Sequence, residues 1–285
     1  MIVIKFGFVG AGKVGFSLGK YFKENGILIT GYYSKNHNSA KEAAEFTGTK
    51  AFLNLQQLVQ ESNVIFITTP DGEIEGVWNE LKELSINNKL ICHCSGLLSS
   101  EIFSDISKFG AYPYSIHPMF AMSDKYNSFK NFRKAFITIE GHGKYINKFT
   151  ELFKSLGNSV KIIDKENKSL YHLASVISSN LVLGLINNGV DYLKHCGFSE
   201  ELAIDALYPL ISNNIENIKV SGTVKSLTGP LERGDLSTMQ THMLSLSEED
   251  KILYRALNNN LLKVAKKKNP NKDYREIEEF LGEEM

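Results

Sequence analysis

A glycine-rich segment near the start of the chain constrains the fold most strongly. Gly10–Gly15 reads GAGKVG, follows an apolar run that ends at Val9, and precedes a helical pattern near 13–24. In this context the first glycine permits a tight turn, the second lets the backbone approach a pyrophosphate, and the third allows close packing of helix on strand. The free N–H groups of Lys13 and Val14 would face the phosphates. The motif therefore predicts a dinucleotide site made by Gly10, Ala11, Gly12, Lys13, Val14 and Gly15.

The sequence around this motif alternates between short apolar runs and helical patterns. The apolar runs predict strands at Lys5–Val9, Leu28–Tyr33, Val64–Thr68, Lys89–Cys94, Tyr112–Ile116 and Ala135–Ile139. Helical patterns lie between them near 13–24, 39–47, 54–62, 71–84 and 99–109. Such alternation is typical of a parallel sheet with crossover helices. Residues 1–163 are therefore predicted to form an α/β domain, a Rossmann doubly wound parallel sheet.

The pattern changes after Asp164, where strands give way to long amphipathic segments. These segments lie at 165–196, 199–220, 236–246 and 248–267, and a charged tail runs from Lys266 to Met285. They predict an all-α C-terminal domain over residues 164–285. A chain of 285 residues is long enough for two such domains, since single cores stop growing near ~250–300 residues.

The end of the second predicted strand indicates which dinucleotide binds. NAD-specific proteins usually place Asp or Glu here for the ribose hydroxyls, but residues 25–41 contain no acid. Ser34 and Lys35 instead offer a hydroxyl and a cation, which suit the 2′-phosphate of NADP. Residues after the third strand should also border the cofactor, because ligands lie outside the carboxyl ends of parallel strands. The predicted NADP contacts beyond the glycine motif are Ser34, Lys35, Thr69 and Pro70.

Composition excludes several classes of partner. The 32 Lys and Arg balance 32 Asp and Glu, so the chain lacks an overall field that would hold nucleic acid or anionic lipid. The string Cys92-His93-Cys94 is typical of a buried strand rather than a metal site. Ser and Asn side chains within the apolar stretch 174–190 argue against a membrane span. The apolar start of the chain has no basic leader, so we predict a cytoplasmic protein without metal, nucleic acid or membrane.

Six segments, in the same order along the chain, resemble the Rossmann-like/DUF2520 oxidoreductases over about residues 6–267. They are Gly10–Gly15, Thr69–Asp71, His93–Gly96, Ser115–Pro118, Tyr171–Asn180, and Leu227–Asp235 with His242. This family is similar in layout to pyrroline-5-carboxylate reductases and to β-hydroxyacid and prephenate dehydrogenases. It includes a form of ketopantoate reductase that serves pantothenate biosynthesis.

The resemblance implies an NADPH-dependent reductase of a small 2-oxo acid, with 2-dehydropantoate (ketopantoate) as the first candidate substrate. An imine reductase and a prephenate-type dehydrogenase are alternatives within enzymology. A non-catalytic NADP-binding sensor is an alternative of a different class.

Two histidines are the candidate proton donors. Reduction of a 2-oxo acid requires a proton for the developing alkoxide, and histidine can supply one near neutral pH. His172 lies early in the first long C-terminal helix, and His117 ends a predicted strand in a His-Pro-Met string similar to that of prephenate dehydrogenases. Related dehydrogenases carry a catalytic Lys with Asn, or a His, on the helix of His172. Lys168 lies about 40° from the face of His172 on an ideal helix, which disfavours a lysine mechanism here.

Other polar residues complete the predicted site. Asn180 lies on the flank of the His172 face, which continues on an ideal helix through Leu183. Ser95 follows the fourth predicted strand and would lie beside the nicotinamide. Because the chain is neutral overall, a small carboxylate substrate needs a local cation, and the planar guanidinium of Arg233 suits it. The predicted catalytic residues are His172, His117, Asn180, Ser95 and Arg233.

Two features of the C-terminal half allow further interpretation. Asp235, next to Arg233 in the loop, either neutralises the guanidinium or caps the helix that begins near Leu236. The long helices carry more apolar surface than one small domain can cover, so we predict a homodimer through residues 165–267.

Overall fold

The structure is a computed structural model that describes residues 4–143 and 145–282. It contains two compact units, Met1–Leu183 and Gly184–Met285. This division falls later in the chain than the boundary predicted after residue 163. The reason is that Lys168 and Tyr171 make hydrogen bonds to side chains or backbone of the first unit.

In the described part of the chain, an eight-stranded sheet forms the centre of the first unit. Its strands are β1 (Phe6–Val9), β2 (Ile29–Tyr33), β3 (Lys50–Ala51), β4 (Val64–Ile67), β5 (Leu90–His93), β6 (Tyr112–Met119), β7 (Phe136–Gly141) and β8 (Ser159–Ile162). Their spatial order is β3-β2-β1-β4-β5-β6-β7-β8. Neighbouring strands are parallel, apart from the antiparallel pair β6 and β7. The predicted doubly wound α/β fold is confirmed, with its switch point between β1 and β4.

The central strands are buried on both faces, which explains their continuous apolar runs. All four residues of β1, β4 and β5 are buried. Successive side chains of a strand point to opposite faces of the sheet. Phe8 and Phe66 accordingly belong to one core cluster, and Ile65 and Ile67 belong to the cluster on the other face. Both faces are covered by helices, as parallel sheets require.

Five helices of the described residues accompany the sheet. They are α1 (Lys13–Glu24), α2 (His37–Thr47), α3 (Leu55–Glu61), α4 (Asp71–Leu81) and α5 (Ile146–Ser155). The first four match predicted helices, and α5 was not predicted. The helix predicted at 99–109 is wrong, since this segment forms two short 3₁₀ turns, Ser100–Ile102 and Ile106–Phe109. Asp105 between them has a φ of 58°, a left-handed conformation that a continuous helix cannot contain.

The C-terminal part of the chain is helical, as predicted. Its helices are α6 (Lys168–Val176), α7 (Val182–His195), α8 (Glu200–Ser226), α9 (Pro230–Arg233), α10 (Leu236–Leu244), α11 (Glu248–Lys268) and α12 (Arg275–Gly282). A π-helical turn, Ile177–Leu181, joins α6 to α7. In the charged tail, α12 buries Ile277 and Leu281 in the core of the second unit, and residues 283–285 lie outside the described residues.

Candidate functional site

A cavity of about 420 Å³ lies at the carboxyl ends of β1, β2 and β4. Seven of the ten predicted cofactor residues line it, namely Gly10, Ala11, Gly12, Ser34, Lys35, Thr69 and Pro70. Lys13, Val14 and Gly15 follow directly, in the first turn of α1. Among the described residues no side chain caps this helix at Gly12, so its first amides are available to bind an anion.

The three glycines of the motif have the geometry that a dinucleotide site requires. Gly10 has a φ of 101°, which favours glycine. Among the described residues, no heavy atom beyond Gly12 and its local backbone lies within 4 Å of a Cβ added at Gly12, so this backbone is open to a ligand. A Cβ at Gly15 would lie 2.4 Å from Thr68 Oγ1 and 2.6 Å from the Gly10 carbonyl oxygen, so only glycine permits this packing of α1.

Thr69 supports the same interpretation of the cavity. Its hydroxyl oxygen is buried and has no hydrogen-bond partner among the described residues. A buried hydroxyl without a partner costs free energy unless a ligand or water satisfies it. The free amides, the open glycine backbone and this hydroxyl together fit a phosphate-bearing dinucleotide.

The end of the cavity at β2 is occupied by an ion pair. Lys35 Nζ lies 2.5 Å from Glu73 Oε2, and both side chains are exposed. The Glu73 carboxylate raises the pKa of Lys35, and Lys35 lowers the pKa of Glu73. Sequence reasoning missed Glu73 because it lies on α4, 38 residues beyond Lys35. The absence of an acid after β2 thus does not mean that this end lacks a carboxylate.

A second group of polar residues lies at the carboxyl ends of β5 and β6. Lys168, only 2% exposed, donates hydrogen bonds from Nζ to the Ser95 carbonyl oxygen at 2.9 Å and to Ser115 Oγ at 2.7 Å. Burial lowers the pKa of Lys168 to about 8. Helical geometry alone disfavoured a role for this lysine, but the structure places its side chain in this group of polar residues. Its ammonium group is a buried positive charge at the strand ends.

His117 and His172 both pack against Gly96 in this region. A methyl group on Gly96 would lie 2.7 Å from His172 Nδ1 and 3.1 Å from His117 Nε2. Since both nitrogens lie within about 3 Å of one point, they are close enough to contact one small group between them. His172 Nδ1 is buried and has no hydrogen-bond partner among the described residues.

The role of His117 as a candidate proton donor stays a prediction, but its surroundings are defined. Its Nδ1 lies 2.6 Å from the Tyr171 hydroxyl, and the ring is largely buried. Burial, reinforced by the positive charge of Lys168 and by His172, lowers the pKa of His117 to about 3. The imidazole is therefore neutral at physiological pH. In this form it can donate one hydrogen bond and accept another.

Ser95 holds a loop in place. Its hydroxyl donates to Asp71 Oδ2 at 2.6 Å and accepts from the amides of Leu97 and Leu98 at 3.1 and 2.9 Å. Its single hydroxyl proton therefore points to the Asp71 carboxylate, and the catalytic role of Ser95 stays a prediction. Because Asp71 follows Pro70 of the cavity, this hydrogen bond connects the cavity to the second group.

Asn180 is exposed, and its Oδ1 accepts a hydrogen bond from Ser179. It lies in the π-helical turn, which inserts about one extra residue into the helix. The side-chain pattern after this turn is rotated from that of an ideal α-helix. The predicted continuation of the His172 face through Leu183 is therefore wrong.

Arg233 belongs to the second unit, at the end of α9. Its side chain is 61% exposed, and Nη2 lies 4.0 Å from Asp235 Oδ2. Asp235 also caps α10 by accepting from the amide of Thr238 at 3.1 Å, so both proposed roles of Asp235 are present. Exposed ion pairs of this length contribute little to stability. The substrate role of Arg233 stays a prediction.

His93 packs structurally, as predicted. It is buried, its Nε2 lies 3.1 Å from the Ser99 carbonyl oxygen, and its ring contacts Phe103. Burial lowers its pKa to about 4. Within residues 4–143 and 145–282, no group of three or more His, Cys, Asp or Glu side chains is placed to hold a metal ion.

One helical segment of the described chain, Lys165–His195, is long and apolar enough to cross a membrane by length and composition. Soluble core helices can pass the same test. The expectation that this segment does not span a membrane stays a prediction.

Two family models match the sequence. Residues 2–118 match a Rossmann-like domain, and residues 135–261 match a domain of unknown function, DUF2520. Among proteins of curated function, none matches.

Solved structures share the fold over nearly the whole chain. Protein TM1727 from Thermotoga maritima is 27% identical, with a TM-score of 0.75, covering 93% of this chain and 99% of that one. A reductive aminase from Aspergillus terreus in complex with NADPH and ethyl-5-oxohexanoate is 13% identical, with a TM-score of 0.65 and coverage of 98% and 99%. A pyrroline-5-carboxylate reductase from Coxiella burnetii is 14% identical, with a TM-score of 0.60 and coverage of 93% and 98%. The chain therefore has the fold of these reductases.

Proposed function

We propose that this chain, in which a Rossmann-like domain precedes a DUF2520 domain, is an NADPH-dependent reductase. Its substrate would be a small carboxylic acid that carries a carbonyl or an imine group. One observation carries the proposal. The buried ammonium of Lys168 and the imidazoles of His117 and His172 beside Gly96 lie at the ends of β5 and β6. The Asp71–Ser95 hydrogen bond connects this group to the dinucleotide cavity. Ligands of doubly wound folds bind at this edge of the sheet.

The cavity supports NADPH as the cofactor. The Gly10–Gly15 turn and the uncapped start of α1 suit the pyrophosphate, and Ser34 and Lys35 suit the 2′-phosphate. The NADPH complex of the reductive aminase with the same fold supports the same choice. When bound, NADPH supplies the hydride.

The remaining residues of the site provide charge and hydrogen bonds. With a pKa of about 8, Lys168 is protonated at neutral pH, and its buried charge stabilises negative charge that develops on a substrate oxygen. Neutral His117 offers hydrogen-bonding atoms beside Gly96, and so does His172 Nδ1, which has no partner in the described part of the chain. Lys168 is thus the group that holds a proton available near neutral pH.

The substrate is a finer part of the proposal. Ketopantoate is the first compound to test because the sequence resembles a family that includes ketopantoate reductases. Cyclic imines are the second, because reductases of imines share this fold. Arg233 is proposed to bind the substrate carboxylate.

A substrate panel tests the proposal. NADPH oxidation is followed with ketopantoate, other 2-oxo acids and cyclic imine acids, each with and without the purified protein. Turnover of a member identifies the class. Tight NADPH binding without turnover on the whole panel would favour a non-catalytic NADP-binding sensor.

We also propose a homodimer formed through residues 165–267. Many large apolar side chains of these helices are more than half exposed in the single chain, including Leu170, Leu181, Leu183, Leu202, Tyr208 and Leu210. Exposed apolar surface of this extent usually marks an interface. A second copy of the chain covers it without a membrane, in keeping with the proposed cytoplasmic location. Light scattering at micromolar concentration should give a dimer mass, and a monomer mass would contradict it.

A further inference from the structure

The β2 end of the cavity contains charges of both signs. Among the described residues that line the cavity, Lys35 is the single cation, whereas Glu73 and Glu80 are carboxylates. Lys35 forms its ion pair with Glu73 at 2.5 Å. A ligand that places a phosphate here therefore meets a lysine whose charge is already balanced.

The negative charge of Glu73 is stabilised by its own helix as well as by Lys35. Glu73 lies in the first turn of α4, where the helix dipole stabilises a carboxylate. Its side chain is 50% exposed and that of Lys35 is 70% exposed. Ion pairs this exposed are weak, so a phosphate can displace Glu73 from Lys35, and the negative charge of Glu73 then stays nearby.

A carboxylate in this position has opposite effects on the two nicotinamide cofactors. It repels the 2′-phosphate of NADPH and competes with it for Lys35. Toward NADH, the same carboxylate can accept a hydrogen bond from a ribose hydroxyl, the function that an acid after β2 usually performs.

We infer that Glu73 sets the discrimination between NADPH and NADH by competing with the 2′-phosphate for Lys35. The inference rests on the proposed function, namely that this cavity holds a nicotinamide dinucleotide. Lys35 favours NADPH, and Glu73 limits the size of that preference.

Two fragments of the cofactors test this end of the cavity directly. Adenosine 2′,5′-bisphosphate carries the 2′-phosphate, and adenosine 5′-monophosphate lacks it. Calorimetric titration of the full chain should show that E73Q binds the bisphosphate about tenfold more tightly, as expected for removing one nearby like charge, without tighter binding of the monophosphate. The control E75Q removes the same charge from α4 at a position outside the cavity, and it should change neither affinity.

A double-mutant cycle tests the competition for Lys35. K35M should weaken bisphosphate binding, and E73Q should give a smaller gain in the K35M background than in the wild type. NADPH and NADH titrations should follow the fragments, with E73Q increasing the ratio of the two affinities.

The outcomes separate the inference from the proposed function. If the wild type binds NADPH and the bisphosphate but E73Q leaves the ratio of affinities unchanged, the inference is overturned and the proposed function stands. If E73Q increases bisphosphate affinity equally in the wild-type and K35M backgrounds, the inference that Glu73 competes with the phosphate for Lys35 is overturned. If the wild type binds neither NADPH nor NADH, the proposed function itself is overturned.

Discussion

Replacing Lys168 by Met tests whether this lysine serves activity or only the stability of the fold. A pKa near 8, against an ordinary value of 10.5, means that burial disfavours the charged form by about 3 kcal/mol at neutral pH. Met has a similar length and no charge, so the substitution removes this cost. It also removes hydrogen bonds to the Ser95 carbonyl oxygen and Ser115 Oγ, whose loss costs about 1–3 kcal/mol. The two effects nearly cancel, so we expect K168M to be as stable as the wild type or slightly more stable.

Activity should respond very differently. Loss of the buried charge and its proton should reduce turnover by roughly a hundredfold or more. In the wild type, kcat/KM should fall above pH of about 8 as Lys168 loses its proton, and K168M should lack this decrease.

The assay combines urea unfolding with steady-state kinetics on the best substrate of the panel. K165M is the matched control, because Lys165 lies three residues earlier and pairs with Glu101 at the surface. It should keep normal turnover and the same pH profile. Near-normal turnover in K168M would refute the proposed role of Lys168. A large loss of stability would refute the estimate that the two effects on stability cancel.

Three further predictions address other groups. His93 and His117 have pKa values of about 4 and 3 in the folded chain, below the ordinary 6.5, so the unfolded chain binds more protons below pH 6.5 and the free energy of unfolding falls as pH falls. In urea unfolding at pH 5, each histidine should lower the free energy of unfolding by about 2 kcal/mol, and H195N, at an exposed histidine, should leave this dependence unchanged. G96A should displace one or both imidazoles and reduce turnover by more than about tenfold with NADPH affinity unchanged, and normal kinetics would contradict the proposed site. R233K should raise KM by losing bidentate contact with the carboxylate, whereas an effect on melting temperature alone, reproduced by D235N, would show a structural pair.

The sequence predicted the parts of the fold that depend on local patterns. Strands β1, β4 and β5 were predictable because burial on both faces requires continuous apolar runs. The Gly10–Gly15 motif was predictable because each glycine has a separate geometric requirement. Helix positions in the C-terminal half followed from amphipathic periodicity.

The remainder depends on contacts between distant residues. Glu73 and Lys35 are 38 residues apart in sequence, and Lys168 and Ser115 are 53 residues apart. Neither contact therefore has a signature in the local sequence. The π-helical turn at Ile177–Leu181 has a sequence that an α-helix would also accept. The low pKa of His117 arises from burial and from the charge of Lys168, which only the tertiary structure brings together.

The polar group around Lys168 lowers the free energy of unfolding, and this cost is itself an argument for function. Its ammonium is buried, and the negative groups that act on it, Glu140 and Asp71, already accept hydrogen bonds from Ser100 and Ser95. His172 Nδ1 lacks a partner in the described chain, although a buried polar atom without one is rare. Apolar side chains at these positions would avoid both costs. Groups with shifted pKa values that cluster at the carboxyl ends of parallel strands are typical of sites where charge acts on a ligand. The same cost therefore predicts that K168M separates activity from stability, which is the result expected of a charge that serves a substrate rather than the fold.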